Sequence, residues 1–125
     1  MRPLALVLAL CSLLVLGCGG DDAPGRTVTA PANAKLRVVA DEYSFDPSTI
    51  VLKGAGTLTV TLQNRGTLAH NLKVLRGDEE IGGTPTLPAG RSASARLNLE
   101  HGNYRIICSV GDHEQLGMTG TLRVR

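Results

Sequence analysis

The sequence predicts an all-β protein, a two-sheet Greek-key β-sandwich of about seven or eight strands. Three observations carry the prediction. From about residue 35 onward the chain is a succession of short runs rich in β-branched residues, these runs are separated by Gly, Pro, Asn and Asp, and no stretch sustains a helical apolar period. A chain of 125 residues allows one such core and leaves no room for a second domain.

In chain order, Met1-Arg2-Pro3 precedes an apolar and small-residue run from Leu4 to Gly17, the layout of a secretory signal and too short for a comfortable membrane span. Its end, Leu14-Val15-Leu16-Gly17-Cys18, resembles the lipobox of bacterial lipoproteins, with Val15 where leucine is usual. The resemblance implies that Cys18 is lipidated and becomes the first mature residue, which places the protein outside the cytoplasm, in the periplasm or on the outer face of the cell membrane. Residues 18–34, rich in Gly, Ala, Pro and Thr without an apolar period, are expected to form a flexible tether, and residues 35–125 the folded domain.

Within that domain the clearest strand is Thr57 to Leu62, where Leu58, Val60 and Leu62 share one face and three threonines the other. Strands are also expected over Lys35 to Ala40, Thr49 to Lys53, His70 to Leu75, Ala93 to Leu99, Tyr104 to Cys108 and Gly120 to Val124, each bounded by turn residues. The stretch from Arg76 to Gly90, with Gly77, Gly82, Gly83, Pro85 and Pro88, is expected to be an irregular excursion between the sheets.

Charge narrows the partners. The chain carries 13 Lys and Arg against 11 Asp and Glu, and one of the basic residues, Arg2, lies in the signal. The basic residues are scattered singly, and Tyr43, Phe45 and Tyr104 are the only aromatics, which argues against nucleic acid. Of three cysteines, Cys11 leaves with the signal and Cys18 is taken by lipid, so Cys108 remains as a lone thiol. In an oxidising compartment such a thiol is retained either as a buried core residue or as a metal ligand.

The second reading gains weight from the neighbours of Cys108. The sequence Cys108-Ser109-Val110-Gly111-Asp112-His113-Glu114-Gln115-Leu116-Gly117-Met118 sets Cys, His and Met at C-x4-H-x4-M spacing, a set of soft and borderline ligands that suits copper. A strand would deliver Cys108, and the following loop would fold His113 and Met118 back over it. A blue-copper centre needs a second imidazole, and the candidate is His70, at the start of an upstream strand. Tyr104, Ile106 and Cys108 fall on one strand face, so the thiol should point into the sandwich.

With His70-Asn71 followed by Y-x-x-x-C-x4-H-x4-G-M-x-G, residues from about Lys35 to Arg125 resemble the cupredoxin family of plastocyanins, azurins, auracyanins and rusticyanins, with a cysteine-to-histidine gap nearer that of auracyanin and rusticyanin. The resemblance implies one type 1 copper held by His70, Cys108, His113 and Met118. It also implies that Asn71 bridges the two ligand loops while a nearby backbone amide and Ser109 hydrogen-bond around the sulfur. Tyr43 to Ile50 would pack the core beneath the site, and electrons would pass through His113 at a surface that includes Leu68 and Leu116.

The function expected on this basis is one-electron transfer by the Cu(II)/Cu(I) couple, without catalysis or a small-molecule substrate. The expected partners are redox proteins of the cytochrome c or terminal oxidase type, met by a monomer anchored to the membrane through its lipid. The alternative is copper storage or delivery to a membrane oxidase, which a mature chain with Met118 as its only methionine disfavours. His101, before Gly102-Asn103, reads as a solvated turn residue, and Asp78-Glu79-Glu80 as a solubilising cluster.

Overall fold

A computed structural model describes residues 25–125. The signal run and Cys18 lie outside these residues. The described chain forms ten strands: β1 (Thr27–Pro31), β2 (Lys35–Asp41), β3 (Ser44–Asp46), β4 (Thr49–Lys53), β5 (Gly56–Asn64), β6 (Lys73–Arg76), β7 (Glu79–Gly83), β8 (Ser92–Leu99), β9 (Gly102–Ile107) and β10 (Thr119–Val124). They lie in two sheets, a six-stranded one in the order β1-β4-β10-β9-β6-β7 and a four-stranded one in the order β3-β2-β5-β8. The all-β sandwich expected from the sequence is the architecture found.

Alternation builds the core. Along β5, Leu58, Val60 and Leu62 are buried at 0–1% exposure, and β8, paired antiparallel with it, turns Ala95, Leu97 and Leu99 the same way. Facing them from the other sheet are Ile50 and Leu52 of β4, Tyr104 and Ile106 of β9, and Leu122 and Val124 of β10. Removing these apolar side chains from water is the main favourable term holding the sheets together. Tyr104 closes one end of the layer, its hydroxyl donating to the Glu100 carbonyl at 2.9 Å and accepting from the Glu100 amide at 3.0 Å, so that its buried polar atom is satisfied.

Three expectations need correction. The tether was expected to run to residue 34, yet β1 pairs parallel with β4 from Thr27↔Thr49 to Pro31↔Lys53, and the strands begin eight residues earlier than Lys35. Val28 and Ala30 of β1 pack against the core, a two-position alternation too short to stand out among the surrounding Pro, Ala and Thr. The excursion from Arg76 to Gly90 contains an edge strand, because the turn at Gly77 (φ 60°) folds β7 back on β6 with Arg76 opposite Glu79. Its exposed Glu79 and Glu80 keep that edge unattractive to further strands, and Glu80 pairs with Lys73 at 3.5 Å. Finally, the expected strand from His70 starts only at Lys73; His70 itself makes an isolated antiparallel bridge with Leu87.

One end of the sandwich gathers different chemistry. The inward row of β5 continues past Leu62 into Asn64, buried at 0% exposure, and the inward row of β9 continues past Ile106 into Cys108. The chain between β9 and β10 and the chain leading into β6 meet at this end.

Candidate metal centre

Three segments converge here. The first, between β5 and β6, carries His70. Its shape is set by Asn64, whose side-chain amide donates to the carbonyls of Leu68 (2.9 Å) and Leu87 (3.0 Å) while its oxygen accepts from the Gly66 amide at 2.9 Å. His70 and Leu87 exchange backbone hydrogen bonds of 3.1 and 2.8 Å. The backbone that carries the imidazole is therefore held by hydrogen bonds from its own amide and carbonyl.

The second segment, between β9 and β10, carries Cys108, His113 and Met118 and is laced by its own backbone. The Cys108 amide donates to the Met118 carbonyl (3.1 Å), and the Met118 amide to the His113 carbonyl (3.0 Å). The His113 amide donates to the Val110 carbonyl at 3.0 Å. Gly117 takes φ 102°, a backbone conformation that L side chains rarely adopt. Gly120 lies so near Ser48 that a Cβ there would come within 2.5 Å of the Ser48 carbonyl oxygen. These are the two glycines the sequence set beside the methionine.

Within this frame the Cys108 sulfur lies 3.5 Å from His113 Nδ1 and 3.9 Å from His70 Nδ1, and the three donor atoms are all within 4.8 Å of one another. All three residues are buried, as is Met118 at 0% exposure. Donors about 2.0–2.3 Å from a shared ion lie roughly 3.5–4 Å apart in a trigonal plane, so the separations suit a single small metal ion. The donor set, two imidazoles and a thiol with a thioether close in sequence, suits copper. The structure thus brings His70, Cys108 and His113 together and folds Met118 into the same loop by direct backbone bonds to two of them.

Asn71 ties the two segments. Its amide nitrogen donates to Thr86 Oγ1 and to Ser109 Oγ, both at 3.0 Å, and its oxygen accepts from the Ser109 amide at 2.9 Å. Asn71 thereby joins the segment that carries His70 to the one that carries Cys108. The expected amide contact to sulfur is not among the hydrogen bonds of the described residues, where the sulfur meets only the two imidazoles; the Ser109 amide is spent on Asn71 instead. Asn71→Ala should cost about 1–2 kcal/mol, because it removes three part-buried hydrogen bonds whose exposed partners, Thr86 and Ser109, can turn to water instead. Denaturant unfolding of the metal-free protein checks this.

Tyr43, from the segment between β2 and β3, stands edge-on to the His113 ring with centroids 5.0 Å apart, so part of the Tyr43 to Ile50 segment lies at the site itself rather than beneath it. Phe45 and Ile50 are core residues as expected. Leu68 and Leu116, 43% and 50% exposed, are the two large exposed hydrophobics among the described residues, one on each ligand-bearing segment. His101 is exposed and donates nothing to the centre, its carbonyl accepting from Arg76 at 3.2 Å.

Sequence reasoning missed Asn64, Gly66 and Glu42. Glu42 Oε1 accepts from the amides of Thr67 (2.9 Å) and Leu68 (2.8 Å) and lies 3.0 Å from His70 Nε2. The Leu68 amide first, and then the His70 and Asp41 contacts, lower the Glu42 carboxyl to about 2 against an opposing desolvation cost, so the group is ionised at neutral pH. A signal existed in retrospect: Gly66 just upstream of His70 marks a close approach, which Glu42 fills.

Residues 12–125 match a family described as PQQ-associated. No curated protein matches the chain. Among solved structures, the auracyanin of the photosynthetic bacterium Roseiflexus castenholzii is 21% identical with a TM-score of 0.69, covering 75% of this chain and 98% of its own. Auracyanin A, a blue copper protein of Chloroflexus aurantiacus, is 17% identical with a TM-score of 0.65, covering 77% and 100%. Rusticyanin from Thiobacillus ferrooxidans is 20% identical with a TM-score of 0.64, covering 82% and 86%. The fold is the one these three share.

Proposed function

Because this chain belongs to the PQQ-associated family and has the cupredoxin fold, we propose that it binds one type 1 copper through His70, Cys108, His113 and Met118 and carries single electrons between extracytoplasmic redox proteins. The observation that supports this most is the buried cluster of two imidazole nitrogens and one thiol within 4.8 Å, drawn from separate segments and fixed by backbone bonds. Copper held there would supply a one-electron Cu(II)/Cu(I) couple.

The residues do the rest. Burial of His70 and Cys108 at 0% exposure excludes water from their side chains, and the hydrogen-bonded loops resist rearrangement, which would hold the site close to one geometry whichever oxidation state a bound copper had. His113, 7% exposed, is the ligand nearest solvent and the exit for an electron. Exposed Leu68 and Leu116 offer an apolar surface on the same two segments for brief encounters of small area.

Cytochromes c and terminal oxidases are proposed as partners, and the family description makes a PQQ-bearing dehydrogenase a candidate electron donor. Cys18 is proposed as the lipid anchor. The chain from Cys18 to Arg26, at about 3.3–3.6 Å per residue, spans at most about 30 Å. A domain that starts at Arg26 would therefore stay close to the membrane surface, at high local concentration near membrane-bound partners.

Mixing the Cu(II)-loaded chain with reduced cytochrome c tests carriage against copper delivery. A carrier bleaches, regains its colour on reoxidation and still holds its copper after gel filtration. A delivery protein yields its copper in the Cu(I) state to an apo-acceptor during the same cycle, which would replace the carrier reading.

A further inference from the structure

We infer that Glu42 is a positioning residue for His70, its carboxylate holding the buried imidazole with hydrogen on Nε2 and Nδ1 bare toward Cys108. The inference deepens the copper reading above and rests on it for the electronic consequence, but not for the geometry.

Glu42 belongs to the turn between β2 and β3, remote in sequence from both ligand segments. One of its oxygens gathers three donors: the Thr67 amide, the Leu68 amide and His70 Nε2, at 2.9, 2.8 and 3.0 Å. The two amides hold the carboxylate in place, and the Glu42 amide is itself held by Asp41 Oδ1 at 2.9 Å. The His70 side chain has no exposure and that of Glu42 is 24% exposed, so water does not compete at the imidazole end. A carboxylate only accepts, so the hydrogen of the neutral ring must sit on Nε2, and the lone pair of Nδ1 is left facing the sulfur 3.9 Å away.

The space around this contact points the same way. A Cβ at Gly66 would come within 2.8 Å of His70 Nε2 and within 2.9 Å of the Glu42 carboxyl carbon, so the loop passes over the pair at a distance only glycine permits. An anionic acceptor behind a ligating imidazole fixes its orientation and makes it a more basic donor. A more basic donor favours Cu(II) over Cu(I), so Glu42 would hold the midpoint potential below the value the four ligands alone would set.

The test uses the full chain as wild type, Glu42→Gln and Glu42→Ala. In the metal-free protein, nitrogen NMR of His70 should show the Nε2–H tautomer in the wild type and a loss of that preference in Glu42→Ala. With copper bound, Glu42→Gln keeps an acceptor but removes the charge. It should stay blue while the ratio of Cu(I) to Cu(II) affinity rises about tenfold, a shift of about 59 mV upward for a one-electron couple. An unchanged tautomer in Glu42→Ala, or an unchanged potential in Glu42→Gln, would overturn the inference. A wild type that is never blue would sink the copper reading instead, and the metal-free NMR would still decide what Glu42 does to His70.

Discussion

Cys108→Ser is expected to abolish the intense blue colour of the copper-loaded protein and to weaken Cu(II) binding by more than about 100-fold, beyond the 10- to 100-fold range typical of losing an outer partner. The reason is ligand chemistry rather than shape. Serine has nearly the same volume, but its hydroxyl stays protonated and is a hard oxygen donor, whereas the thiolate is soft and is the source of the charge-transfer band. Cys108 has no exposure, so the substitution also buries a hydroxyl, at a cost of about 1–3 kcal/mol. Circular dichroism of the metal-free variant should therefore still show the folded sandwich. A variant that remained folded and as blue as the wild type would exclude Cys108 as a ligand.

Replacing both Leu68 and Leu116 by lysine is the second large effect expected. The two side chains are about half exposed and support no core contact that the fold needs, so stability and midpoint potential should stay within error of the wild type. Electron exchange with cytochrome c should nevertheless slow by about tenfold or more, equivalent to about 1.4 kcal/mol lost from the encounter. Stopped-flow bleaching measures this directly. Unchanged rates would move the docking surface away from the ligand-bearing end and, with it, the proposed exit through His113.

The centre was more legible in the sequence than the periphery of the fold, for physical reasons. Cys108, His113 and Met118 lie on one short loop, so their spacing is local information, and His70 was the remaining histidine that could reach them. β5 was legible because alternation of Leu58, Val60 and Leu62 with threonines has a single structural meaning, though it runs on to Asn64, where a buried polar residue replaces the apolar one. By contrast, β1 is held by parallel pairing with β4, a partner its own composition does not reveal.

β7 was hidden for a different reason. Gly82 and Gly83 in its second half would ordinarily weaken a strand, but they are needed there because a Cβ at Gly82 would meet Leu97 at 2.7 Å and one at Gly83 would meet Lys73 Cα at 2.9 Å. Glu42 was invisible because a surface-like Asp-Glu pair in a turn gives no hint that one carboxylate folds back onto a histidine far along the chain. The strand start at His70 was misjudged because Leu72 spends its amide on the Thr84 side chain, at 3.1 Å, before the ladder resumes at Lys73.

The most direct test of the central claim is visible absorption together with electron paramagnetic resonance of the chain titrated with Cu(II). The account predicts an intense blue thiolate-to-copper band that saturates at one copper per chain, with narrow copper hyperfine splitting. A pale spectrum with the wide splitting of ordinary tetragonal copper, binding weakly or at several sites, would contradict it.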